Sequence, residues 1–149
     1  MAGALVIGFC LSLLIWWFRY SCRLILNAQP AQDYTQEVAA RNELQFLTVQ
    51  HDLGEKDAGA RLDVLQQKLE RDYHLLNYLV HHSPALKAES EMIERRIMTL
   101  DFKLMKAYLA IASRLSRSAA RRGLQEMIQV VRYFANTLGE RDGAAVMPE

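Results

Sequence analysis

No charged side chain precedes Arg19. Residues 2–18 read AGALVIGFCLSLLIWWF, and seventeen residues in a helix span about 25 Å, close to the shortest length that crosses a bilayer core. Apolar character resumes at Leu24-Ile25-Leu26, and Arg19 and Arg23 can snorkel to the interface, so an anchor over residues 1–27 is expected. Trp16, Trp17, Arg19, Tyr20 and Arg23 then stand as interfacial anchors. A cleaved signal peptide fits less well. Its positive region should precede the apolar run and a small-residue cleavage site should follow it, whereas here both arginines come after the run and Leu26-Asn27-Ala28 is a poor site.

The bias of Arg19 and Arg23 to the C-terminal flank predicts an integral, single-pass protein with its soluble part in the cytoplasm. The two cysteines, Cys10 and Cys22, fall in or beside the apolar run and cannot staple a domain. No asparagine begins a glycosylation signal. Ala4, Gly8 and Ser12 lie four apart and form a ridge of small residues, a candidate contact face for a membrane partner or a homodimer.

Beyond a linker at 28–32, where Pro30 breaks the helix, the apolar spacing is helical throughout. Helix A is expected over Asp33–His51 and helix B over Ala60–His81, with Leu62, Leu65, Leu69, Tyr73, Leu76 and Val80 inward. Helix C should run from a Ser83-Pro84 start to about Ser116 and helix D from Ala119 to Leu138. Gly139 is read as the stop, with a disordered tail over 139–149. Helix C has two apolar stripes, Ile93/Ile97/Leu100/Leu104/Ala107/Ile111 and Met98/Phe102/Met105/Leu109/Ala112, and is therefore expected to be central. The fold class is all-α: a transmembrane helix, then an up-and-down bundle of three or four helices over 33–138. The C–D join, Ser116 to Gly123, holds no proline and reads either as a turn or as a kink in one continuous helix.

Charge is segregated within the near-neutral total of +1. Residues 33–101 carry thirteen acids against eight Lys/Arg, and residues 102–138 carry seven Lys/Arg against Glu126 alone. Arg114, Arg117, Arg121 and Arg122 fall within nine residues and form a candidate anion-binding surface. If four helices alternate in direction from the anchor, this cluster lies far from the bilayer and the histidine end of helix B lies near it. That order points the arginines at a protein partner. Nucleic acid is disfavoured by the shortness of the patch.

Glu70, His74 and His81 share a helical face with His82 nearby, so a metal-binding protein or metal-dependent enzyme is one alternative. However, His74 and His81 stand about 10 Å apart along the helix, too far to act as a ligand pair, and no Glu-x-x-His pair accompanies them. No P-loop, nucleophile elbow or zinc-protease motif occurs, and no catalytic residue, cofactor or small-molecule substrate is indicated.

The plan of a short anchor and a helical bundle resembles that of LemA-like membrane proteins. Leu69–Val80 resembles a motif of that family over twelve residues, but lies far from the anchor where the family has it close. The reading that results is a non-catalytic, membrane-tethered adaptor or scaffold. An accessory subunit held through the transmembrane helix is the runner-up.

Overall fold

The computed structural model describes residues 2–28, 32–54, 61–82 and 89–146. Among these residues every regular element is an α-helix: α1 (Ala2–Asn27), α2 (Thr35–Arg41), α3 (Phe46–Gly54), α4 (Leu62–His82), α5 (Glu89–Leu115) and α6 (Arg117–Val146). The all-helical class and the apolar N-terminal helix therefore hold, while the expected bundle of three or four helices is corrected to five beyond α1. Gly3–Asn27 is long and apolar enough to cross a membrane, and only 6% of its most apolar window is buried, so α1 is not the core helix of the bundle. Ser83-Pro84 and the loop at 55–60 lie outside the described residues.

The extra helix comes from a break in helix A. Asn42 closes α2 and Glu43 takes a positive φ of 51°, a conformation that ends a helix without glycine. Asp72, buried on α4, accepts a hydrogen bond from the Gln45 amide at 2.6 Å and another from the Phe46 amide. It thereby serves the first turn of α3 as a cap donated by a different helix. No local residue type marks this break, because the cap is twenty-seven positions away.

Helix α6, rather than helix C, is the central element. It contacts each of the five other helices and buries Ala120, Leu124, Met127, Ile128, Val130, Val131, Phe134, Ala135 and Leu138. Helix α5 turns mainly its second stripe inward: Met98, Phe102, Met105, Leu109 and Ala112 are buried, and of the first stripe Ile97 packs against the core while Ile93, Leu100, Leu104 and Ile111 face out. Tyr73 of α4 stacks on Phe102 with ring centroids 3.8 Å apart and meets Phe134 edge-on at 5.6 Å, which ties α4, α5 and α6 together.

Residues 139–146, expected as tail, are helical. Gly139 does not stop α6; it is where Tyr34 crosses, and a Cβ there would overlap Tyr34 Cβ and Cγ. Two residues on, Arg141 is buried and donates to the Val80 carbonyl at 3.0 Å, capping α4 from outside. The C–D join is a turn. Ser116 alone separates α5 from α6, and the two helices run antiparallel, with Glu94 beside Tyr133 and Tyr108 beside Gly123.

Gly139→Ala should destabilise the protein by about 1–2 kcal/mol despite alanine's better helix propensity, because the Tyr34 backbone side cannot yield. Gly143→Ala meets only the Tyr34 hydroxyl end, with Oη at 3.3 Å, and should be neutral or stabilising. Denaturant titration of the two variants in detergent checks the contrast.

Candidate functional site: the junction of α1 with the bundle

The bundle's charge pattern converges where α1 meets α5 and α6. Residues 3–17 of α1 are exposed, but from Phe18 one face docks: Phe18, Ile25 and Leu26 pack on the core and Cys22 is buried within it. Arg19 lies on that face. Its Nη1 donates to Asp101 Oδ1 at 2.8 Å and to Met105 Sδ at 3.5 Å, and its Nη2 donates to Glu126 Oε2. Arg23 pairs with the other Glu126 oxygen at 3.5 Å. One guanidinium thus spans two carboxylates on two helices, the forked geometry at which arginine excels.

Asp101 is 1% exposed. Burial pushes its carboxyl above the usual range, and the nearby Glu126 charge adds to this. Arg19, by charge and hydrogen bond, and the neighbouring Cys22 thiol pull the other way. A small cavity of about 190 Å³ sits here, lined by Arg19, Cys22, Asp101, Glu126 and their neighbours. A wider polar cleft of about 820 Å³ adjoins it between the end of α1 and α6, bordered by Asp33, Glu94, Arg132, Tyr133 and Asn136. Arg132 bonds Asp33 at 2.7 Å across its mouth. The Thr35 hydroxyl and amide and Arg132 all bond the Asp33 carboxylate and hold it below the usual range.

Sequence reading singled out Arg19 and Arg23 as interfacial anchors but missed Asp101 and Glu126 as their partners. The available signal was Glu126, the single acid in a basic stretch. Trp16, Trp17 and Tyr20 are exposed on α1, with Trp16 and Tyr20 stacked at 5.9 Å. Ala4, Gly8 and Ser12 are also exposed, and nothing lies within 4 Å of a Cβ built on Gly8.

The four arginines differ in their surroundings. Arg121 donates to the Leu53 carbonyl and so caps the end of α3. Arg114, Arg117 and Arg122 are exposed, and among the described residues no carboxylate pairs with them.

Their position corrects the expected geometry. Along α1 the contacts pass from Glu126 at Arg19 to Gln129 and Tyr133 around Leu24–Ala28, so α1 runs parallel to α6 and antiparallel to α5. The free part of α1 therefore projects on the same side as the α5–α6 turn. His81 and His82 lie at the opposite end, where Val80 meets Arg141. The additional reversal at Asn42–Gln45 changes the parity of the helices, and with it which end faces the anchor.

His74, His81 and His82 are exposed, and Glu70 is held by Lys106 at 2.8 Å and by Gln66. Among the described residues no group of three His, Cys, Asp or Glu is arranged to hold a metal ion. No protein-family model matches the chain, and neither does any curated protein or solved structure.

Arg19→Ala leaves the Asp101 charge buried without its main partner. It should cost about 2–3 kcal/mol, below the ~3–5 of a fully buried pair because 24% of the Arg19 side chain stays in water. Asp101→Asn should be within about 1 kcal/mol of wild type at neutral pH. The folded protein holds the Asp101 proton more tightly than the unfolded chain does. Its contribution to stability is therefore most favourable at acidic pH and is lost as pH rises through the raised native value. Unfolding free energies measured across that window should show Asp101→Asn gaining on wild type as pH increases.

Proposed function

We propose that the chain is a non-catalytic helical scaffold, tethered to a membrane by α1, that holds a protein partner at the cytoplasmic face. The observation that carries the reading is the bridge from Arg19 to Asp101 and Glu126. A tether that only concentrates a domain at a membrane needs no contact with that domain. Here one face of the last turns of α1 packs against the bundle, with Cys22 buried and Phe18, Ile25 and Leu26 partly buried, so the bundle is held in a set orientation on its anchor. A scaffold that presents one face to a partner needs that restriction. The surface best suited to a protein partner is the outward stripe of α5 at Ile93, Leu100 and Leu104, with Arg96 and Lys103 beside it.

The accessory-subunit reading has its own support in the open Ala4/Gly8/Ser12 ridge, where a second transmembrane helix could approach closely.

A pull-down of the tagged protein in gentle detergent tests both. On the scaffold reading, Leu100→Asp with Leu104→Asp abolishes capture of the co-purifying protein while circular dichroism stays unchanged, and Gly8→Leu has no effect. The reverse pattern selects the accessory subunit. If no protein co-purifies in stoichiometric amount, the scaffold reading fails.

A further inference from the structure

We propose that the tip of the α5–α6 hairpin is a second membrane contact, in which Tyr108, Ile111 and Leu115 enter the headgroup boundary and Arg114, Arg117 and Arg122 bind anionic lipid. The proposal rests on the reading of α1 as the anchor.

Direction is the first argument. The tip and the free part of α1 project on the same side of the Arg19 junction. From Asp101 to Leu115 is fourteen positions, so α5 extends about 21 Å past the junction toward the side that the anchor enters. Among the described residues the end of α3 and the start of α4 lie on this same side beside the tip.

Surface chemistry is the second. Leu115 is 80% exposed and Ile111 63%, at the end of a hairpin where water-facing polar residues are the norm. Apolar side chains beside exposed arginines make the amphipathic surface that lies in a membrane interface.

Charge is the third. The N-terminal dipole end of α6 and the C-terminal dipole end of α5 meet at the tip and offset each other, and no acid occupies the first turn of α6, so the side-chain charge there is that of Arg114, Arg117 and Arg122. The opposite end of the bundle carries Glu37, Glu140 and Asp142. Arg41 pairs with Glu37 and Asp142 there and Arg141 is buried beside them, whereas Arg114, Arg117 and Arg122 at the tip have no carboxylate partner among the described residues, so it is the tip that an anionic leaflet attracts.

The test uses the full chain in phosphatidylcholine vesicles with and without phosphatidylglycerol. A polarity-sensitive fluorophore is placed on Leu115→Cys, or on Gln67→Cys as a control, in a Cys10→Ser background; Cys22 is buried and should stay unlabelled. Trp16 and Trp17, quenched by brominated lipid, report the anchor independently.

The expected result is blue-shifted, lipid-quenched emission at position 115 in the vesicles containing phosphatidylglycerol, with the control remaining wet. Combined Arg114→Glu, Arg117→Glu and Arg122→Glu should remove that shift while tryptophan quenching and helicity persist. A wet label at 115 beside quenched tryptophans overturns the proposal and leaves the anchor standing. Unquenched tryptophans overturn both. Equal shielding without phosphatidylglycerol overturns the anionic-lipid assignment. Shielding that rises with protein-to-lipid ratio, accompanied by energy transfer between labelled copies, assigns the tip to a second copy instead.

Discussion

Arg19 stands where the exposed apolar stretch of α1 gives way to its docked face, and the arrangement of α1 on the bundle depends on what it does there. It is the first charge after an apolar run, and a charge so placed would ordinarily extend toward water and lipid headgroups. Instead it folds back onto the bundle, where Asp101 and Glu126 wait on separate helices. The two carboxylates repel each other, and Asp101 is deeply buried. The guanidinium compensates both at once. Without α1 the two carboxylates would lack their shared cation, and without them the docked face of α1 would lack its charged partners.

Much of the architecture was legible because it depends on local periodicity. The α4 stripe from Leu62 to Val80 and the buried stripe of α5 follow helical spacing, and the structure places them in the core. The apolar run through Phe18 was equally plain. What could not be read was set by contacts between distant residues. The break between α2 and α3 depends on Asp72. The persistence of α6 past Gly139 depends on Tyr34, since glycine admits another helix as readily as it ends its own. The outward face of α5 was misjudged because a stripe of Ile and Leu carries no mark of which neighbour covers it. The candidate junction was half visible: Arg19 and Arg23 were conspicuous, and their partners were two ordinary acids eighty-two and 107 positions away.

That single missed break has wide consequences. In a bundle of alternating helices, one added reversal exchanges the two ends of everything downstream. The arginines move to the side from which α1 projects and the histidines to the opposite side. Orientation in such folds is a property of helix count, and a cap on a neighbouring helix controls the count.

The order of synthesis gives the junction a further meaning. Helix α1 is made before α6, which touches each of the other described helices. Helix α3 has only nine residues, too few to persist alone, and its two ends are served by Asp72 and Arg121 from later parts of the chain. If α1 enters a bilayer as it emerges, Arg19 waits 107 residues for Glu126, about 5–20 s at usual elongation rates. Until Asp101 and then Glu126 have been made, the first charge after the apolar run lacks its partners. Completion of α6 would close the fold and seat the anchor in one event, so a ribosome stalled before residue 126 would leave a chain that is inserted but not oriented.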